Sequence, residues 1–330
     1  MTRVQLADRI RNLRPTDFNE VALAVFHYQA AHNLIYAHYL DLLRVEARHV
    51  LRLADIPCLP IDLFKSQALQ SGQWTPVRTF TSSGTTGATT SRHPLRDETW
   101  YREGACRTFE RQYGPLAGRA VLALLPAYLE RTGSSLVFMA QDFIDRSGHP
   151  ASGFFLDDLP ELARRLHDLQ RSSTPTLLLG VSFALLDLAE RYPMPLGDTV
   201  IMETGGMKGR RRELTREELH DTLSQAFQVE HIHSEYGMTE LLSQAYAPRE
   251  GKFIPAPTLR VLPREVTDPL ALTDYGRTAA LNLIDLANLD TISFIASDDL
   301  GRVYADGSFE VLGRMDFSDV RGCNLLVGDL

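Results

Sequence analysis

Thr176-Leu-Leu-Leu-Gly-Val-Ser-Phe-Ala-Leu-Leu-Asp-Leu-Ala-Glu-Arg191 is the stretch from which the fold can be read. Thr176 to Val181 is a short continuous apolar run, the pattern of a strand buried on both faces of a parallel sheet. Ser182 to Arg191 follows with helical spacing. The alternation extends both ways. Upstream, Ala120-Val-Leu-Ala-Leu-Leu125 is a second apolar run, ended by Pro126 and followed by a predicted helix over 131–144. Downstream, Thr199 to Met202 reads as a strand ending in Glu203-Thr-Gly-Gly206, a charged helix is predicted over 213–227, and 229–233 is a further strand ending in Ser234-Glu-Tyr-Gly-Met-Thr-Glu240. Strands alternating with helices predict a mostly parallel sheet, which binds ligands beyond the carboxyl ends of its strands.

The flanks differ from this core. Residues 17–55 have apolar residues at helical spacing, with Asp17 and Glu20 in the pattern of a capping box, and Pro57 and Pro60 end the run. After Leu241 the chain breaks into short β-like pieces at 259–262, 279–284, 291–296, 301–304 and 308–312, with Asp306-Gly307 as a hairpin turn. The expected organisation is a helical segment over 1–60 packed on the main body, an α/β core over 61–241 and a smaller antiparallel β-rich part over 242–330.

Bulk composition narrows the function. The 330 residues are 44% hydrophobic and 23% charged, as in ordinary globular proteins. A net charge of −8 argues against a general nucleic-acid binder, and the basic run Lys208-Gly-Arg-Arg-Arg212 is followed by compensating acids. Cys58, Cys106 and Cys323 form no Cys-x-x-Cys pair, which fits a reducing cytoplasm and not a multi-cysteine zinc site. Met1 to Arg14 is too polar for a signal peptide, and no apolar run reaches the ~20 residues of a membrane span, so a cytoplasmic protein is expected.

Between the predicted strand at 74–81 and a predicted helix over 96–113 lies Phe80-Thr-Ser-Ser-Gly-Thr-Thr-Gly-Ala-Thr-Thr-Ser91. Ser82 to Gly87 are only serine, threonine and glycine, so backbone N–H groups and hydroxyls can converge on an anion such as a triphosphate. Read alone, the run is equally a flexible linker. Three later stretches bear on the choice. In Tyr236-Gly237-Met-Thr239-Glu240, Thr239 can donate to a phosphate and Glu240 can hold Mg²⁺. In Ala296-Ser-Asp-Asp-Leu-Gly301, Asp299 can accept from ribose hydroxyls. In Gly313-Arg-Met-Asp-Phe-Ser-Asp-Val-Arg-Gly322, Arg314 can pair with a phosphate or a ribose oxygen. Taken singly, these are also a capped turn, a solvated loop and a hairpin with a surface ion pair.

In this order the four stretches resemble the adenylate-forming superfamily of acyl-CoA synthetases, peptide-synthetase adenylation domains and luciferases. The first is similar to its Ser/Thr/Gly phosphate loop, Tyr236–Glu240 matches its Tyr-Gly-x-Thr-Glu motif, 297–301 is similar to its Thr-Gly-Asp-Leu-Gly motif, and 313–322 to its hinge, Gly-Arg-x-Asp then Arg-Gly. The resemblance implies the large-domain fold of that superfamily, a mostly parallel sheet with helices plus a smaller antiparallel β subdomain. It implies a carboxylate attacking Mg·ATP to give acyl-adenylate and pyrophosphate, then acyl transfer to a nucleophile. By position, Ser82, Ser83, Gly84, Thr85, Thr86 and Gly87 would hold phosphates, as would Thr239; Glu240 would bind Mg²⁺; and Asp299 and Arg314 would hold the nucleotide. Gly205 and Gly206 would lie against adenine, with Tyr236 and Gly237 opposite.

Two features depart from that pattern. Ala88-Thr-Thr90 stands where the superfamily has x-Pro-Lys, with Arg92 and His93 nearby. The sequence ends at Leu330, soon after the hinge, so the small C-terminal domain with its catalytic lysine is expected to be absent; Lys208, Arg314 and Arg321 are candidate replacement cations. An ending Arg321-Gly-Cys-Asn-Leu-Leu326, with Ser91-Arg-His93 and Gly205-Gly-Met-Lys208, is most similar to the LuxE acyl-protein synthetases. That resemblance implies transfer of a fatty or other apolar acyl group to Cys323 and on to an acyl reductase or other accepting protein. Arg321 beside Cys323 would favour the thiolate. Strand-end residues Tyr128, Gly180, Val181 and Phe183, together with Pro126 and Ser182, are expected to line the acyl pocket. The alternatives are a ligase using coenzyme A or a carrier protein, and a non-catalytic nucleotide- or acyl-binding subunit.

Overall fold

A computed structural model describes residues 1–82, 89–126, 133–205 and 214–315. The chain opens with α1 (Arg3–Arg11), whose cap is a Thr2/Gln5 capping box. The single helix expected over 17–55 is instead α2 (Phe18–His32), α3 (Leu34–Leu42) and two short 3₁₀ turns. The break falls at Asn33, which leaves helical geometry (φ −108°, ψ 107°) and accepts from the Tyr36 amide with its side chain. Asp17 does not cap; its carboxylate pairs with Arg14. Next come β1 (Leu59–Pro60) and α4 (Leu63–Ser66), then an antiparallel hairpin of β2 (Arg78–Thr81) and β3 (Arg92–Leu95) that brackets the glycine-rich run.

The α/β part then runs α5 (Glu98–Tyr113), β4 (Ala120–Leu124), α6 (Ser135–Ser147), β5 (Gly153–Phe155), α7 (Leu159–Arg171), β6 (Thr176–Val181), α8 (Ser182–Arg191), β7 (Val200–Thr204), α9 (Arg216–Phe227), β8 (His233–Tyr236), β9 (Ala245–Ala247) and β10 (Ile254–Pro255). Its sheet has the order β10-β9-β8-β7-β6-β4-β5. The five strands from β8 to β5 are parallel, and β9 and β10 add an antiparallel edge. Strands β4 and β6 are buried throughout, as their unbroken apolar runs require. The strand expected at 229–233 begins only at His233, because Gln228 takes a left-handed conformation (φ 50°) after α9. Glu235 and Tyr236 therefore stand on the strand itself, at its carboxyl end.

The last part is an antiparallel sheet of β11 (Leu259–Arg264), β12 (Thr278–Asp285), β13 (Phe294–Val303) and β14 (Phe309–Arg314). The two pieces expected at 291–296 and 301–304 are one strand, β13, whose pairing with β14 shifts register between Leu300 and Gly301. The shift needs glycine, since a Cβ at Gly301 would run into the Glu310 carbonyl. β1 pairs in parallel with β13, so the N-terminal segment completes this sheet. Tyr36 stacks on Phe294 and Phe26 meets both rings edge-on in a shared core, and Gln29 Nε2 donates to the carbonyls of Asn288 and Leu289. The α/β sheet has a second core of its own, from Phe80 to Tyr246. Among the described residues no helix is long and apolar enough to cross a membrane.

Candidate active site

The carboxyl ends of β7 and β8 face the β13–β14 sheet across a cavity of about 1850 Å³. The hairpin bracketing the glycine-rich run reaches its wall with Ser82, Thr89, Thr90 and Ser91. Ser82 and Ser91 close the base of the run: the Ser82 amide donates to the Ser91 carbonyl at 3.1 Å, and the Ser91 amide to Ser82 Oγ at 2.9 Å. Ser83, Gly84, Thr85, Thr86 and Gly87 lie outside the described residues, as do Tyr128, Gly206, Lys208, Arg321 and Cys323.

Tyr236, Thr239, Glu240, Asp299 and Arg314 all line this cavity, although they come from two different sheets. Tyr236 Oη donates to Asp299 Oδ2 at 2.7 Å, and Arg314 Nε to Asp299 Oδ1 at 3.1 Å. Burial and the Asp299 charge raise the Tyr236 phenol well above its usual range, so it stays a donor. The Tyr236 ring packs against Phe253 and Phe309. At Gly237 a Cβ would displace Glu235 Oε1, which packs over the bare backbone there. The turn that carries Thr239 and Glu240 is held from behind. Asn288 Nδ2 donates to the Glu240 carbonyl at 2.8 Å, and buried Asp285 accepts from the amides of Leu242 and Ser243.

Gly205 also reaches the cavity, in a left-handed conformation (φ 71°), and its carbonyl accepts from Ser182 Oγ at 2.6 Å. Beside it Glu203 is buried. Desolvation opposes its charge, but His220 and Arg216 outweigh it and hold the carboxyl below its ordinary value.

Several expected placements change. Gly180, Val181 and Phe183 are buried in the α/β core and do not line the cavity, whereas Ser182 does. Leu124 and Leu185 close against Gly180 where a side chain would stand. His93 is not a phosphate cation: it is fully buried, and desolvation lowers its pKa to about 4. Burial also pushes the Cys58 thiol up to about 12.

Three wall residues had no sequence signal. Lys65 on α4 reaches the cavity because β1 docks on β13 and the Ile61 amide donates to the Ala296 carbonyl at 3.0 Å. Lys65 is paired with Asp62 at 2.6 Å and feels Asp298 and Glu240. Glu235 and Gln244 line the wall on the α5 side of the sheet, brought together by the pairing of β8 with β9.

No protein-family model and no curated protein matches the sequence. Among solved structures, 2-hydroxyisobutyryl-CoA ligase with 2-HIB-AMP and CoA superposes with a TM-score of 0.68 at 13% identity, covering 94% of this chain and 71% of that one. ATP-bound MatB from Rhodopseudomonas palustris superposes with a TM-score of 0.53 at 16% identity, covering 72% of this chain and 47% of that one. The chain thus spans about half the length of MatB. These likenesses establish the fold: a mixed α/β unit with a parallel-rich sheet and antiparallel sheets, as in these two structures.

Proposed function

We propose that the protein activates a carboxylic acid with ATP and hands the acyl group to a thiol. The observation that carries this reading is the meeting of Tyr236, Thr239, Glu240, Asp299 and Arg314 on one cavity at the carboxyl end of the parallel strands. A carboxylate oxygen attacks the α-phosphorus, its bond to the bridging oxygen breaks, and pyrophosphate leaves with the electron pair. A thiolate then attacks the acyl carbon and AMP leaves, so the thioester retains most of the activation.

In this reading the Asp299 carboxylate receives the ribose hydroxyls, and Arg314, whose side chain is 76% exposed, turns from Asp299 toward the nucleotide. The run from Ser82 to Gly87 and the Thr239 hydroxyl take the phosphates. Gly205 and Gly206 lie beside adenine. Among the described residues no cluster of three acids, histidines or cysteines could cage a metal. A carboxylate on the cavity wall, Glu240, suits Mg²⁺, which binds through one or two carboxylates plus phosphate oxygens and keeps its waters. Mg²⁺ bound there would neutralise phosphate charge.

For the acceptor, Cys323 is the first candidate, with Arg321 favouring its thiolate and Lys208 as a further cation; an acyl reductase is the partner class this implies. One of the two structural neighbours, 2-hydroxyisobutyryl-CoA ligase, is a CoA ligase by name, which favours a free thiol as the second reading. The test begins with ATP–pyrophosphate exchange by the purified chain over a panel of acids. Exchange with no acid would leave a non-catalytic binding subunit. Labelled acyl is then trapped on protein: loss of hydroxylamine-sensitive label in Cys323→Ser supports protein acylation, and turnover with added coenzyme A that survives this change supports the free thiol.

A further inference from the structure

Register pairs place Thr204 of β7 and Tyr246 of β9 beside Glu235 of β8. Cross-strand partners stand on one face of a sheet, and here that face looks toward α5, since Tyr246 packs on Phe109 and Tyr113. Thr204 Oγ1 donates to Glu235 Oε2 at 2.5 Å. Glu235 Oε1 fills the space over Gly237 where a side chain would stand, so the carboxyl leans along its strand, and Gln244, the residue before β9, lines the same cavity. Gln244 Nε2 donates to Tyr101 Oη at 3.4 Å, and Tyr101 Oη to the Ser135 carbonyl at 3.2 Å.

That arrangement leaves two polar atoms unanswered. Gln244 is only 3% exposed and Tyr246 only 1%, yet neither Gln244 Oε1 nor Tyr246 Oη has a hydrogen-bond partner. A buried polar atom without a partner costs about 1–3 kcal/mol, so an unpaired acceptor on a cavity-lining residue points to a donor as its complement. Tyr101, Thr204, Glu235 and Gln244 line the same cavity as the adenylation residues, next to the apolar Leu136 and Met139. A plain alkyl chain laid here would satisfy Leu136 and Met139 and leave Gln244 Oε1 unpaired.

We propose that Glu235, Gln244 and Thr204 form a subsite for a hydroxyl group carried by the acid, which makes the substrate a hydroxy-substituted carboxylic acid and not a plain alkanoic one. The inference rests on the reading that this cavity takes an acid for adenylation. A hydroxyl donates its hydrogen to Gln244 Oε1 and accepts one from the Glu235 carboxyl. Burial, aided by the Glu203 charge, raises Glu235 to about 7, so a protonated carboxyl is available as that donor near neutrality.

The test uses ATP–pyrophosphate exchange on the full chain with acids of equal length, paired with and without a hydroxyl at carbon 2, carbon 3 or the far end, and with 2-amino analogues. The expected result is a preference of tenfold or more in kcat/KM for one hydroxylated member, because a site built to bond a hydroxyl rejects the analogue lacking it. Glu235→Leu and Gln244→Leu should each bring that ratio toward one by raising KM for the hydroxy acid alone; Glu235→Gln, of the same shape, should keep part of it. Equal turnover of every pair, preference for the amino acid, or variants that weaken both members alike would overturn the subsite while leaving adenylation standing. Exchange with no acid would remove both.

Discussion

His93 on β3 and Thr239 in the Tyr-Gly-Met-Thr-Glu turn are 146 residues apart and joined by one hydrogen bond, from His93 Nδ1–H to the Thr239 carbonyl at 2.8 Å. Nε2 accepts from the Thr291 hydroxyl at 2.9 Å, so a single neutral imidazole ties the hairpin of the glycine-rich run to the turn bearing Glu240 and to the β-rich part. Desolvation lowers its pKa from 6.5 to about 4, with the Thr239 bond acting the other way. Above pH 6.5 both folded and unfolded chains carry it neutral. As pH falls below that value the unfolded chain binds the proton first, so stability drops until about pH 4, by on the order of 3 kcal/mol. His93→Gln should be less stable than wild type at pH 7.5 by about 1–3 kcal/mol and should flatten this acid slope. Urea titrations across the window check it; parallel slopes in the two proteins would refute the role.

Glu235 has the opposite sign. Its folded pKa is raised from 4.5 to about 7 by burial, with Thr204 pulling the other way. Below pH 4.5 the carboxyl is protonated in both states and costs nothing. As pH rises the unfolded chain releases its proton first, so stability falls until about pH 7, again by on the order of 3 kcal/mol. Glu235→Gln should match wild type at pH 4 and exceed it in stability at pH 8. Equal stability of the two at pH 8 would contradict the buried neutral carboxyl.

The Tyr236–Asp299–Arg314 cluster separates stability from binding. Tyr236→Phe leaves Asp299 Oδ2 without its buried donor and should cost about 1–3 kcal/mol in thermal or urea unfolding. Asp299→Asn should raise KM for ATP in the exchange assay by roughly 10- to 100-fold, the range of a hydrogen bond to a charged group, with little change in KM for the acid. An equal rise in both constants would speak against a nucleotide role for Asp299.

Gly180→Ala tests which face of the structure strand β6 ends on. A Cβ there would sit 2.8 Å from Leu185 Cδ2 and 3.4 Å from Leu124 Cβ. Overpacking of this kind costs about 1–3 kcal/mol. The variant should melt earlier, yet the folded fraction should keep the wild-type KM for the acid, because Gly180 is core and not pocket wall. A shifted KM with unchanged melting would return Gly180 to the pocket.

The elements that local pattern could specify were legible in the sequence. Helix α8 begins and ends at the expected residues, and β4 and β6 fall on their apolar runs, because a strand buried on both faces has to be apolar at every position. Tyr236, Thr239, Glu240, Asp299 and Arg314 were readable because each sits in a short motif whose residue types suit a nucleotide. The amphipathic α7 and the short β5 were not singled out, and β13 was cut in two because Ser297–Leu300 has the composition of a turn while pairing as a strand.

Sequence by itself thus determined the strand–helix alternation of the α/β part, the parallel sheet and the residues suited to bind a nucleotide, all of which follow from periodicity and from chemistry within a few residues. Only the tertiary structure decided what faces what. Whether Gly180 meets a ligand or Leu185, whether His93 binds phosphate or the Thr239 carbonyl, and how Lys65 reaches the cavity wall beside Asp298 all depend on contacts between segments far apart in the chain. The same holds for Glu235 and Gln244: their type was visible from the start, but their burial, and the unpaired Gln244 Oε1, arise only when β8 pairs with β9 and α5 closes over both.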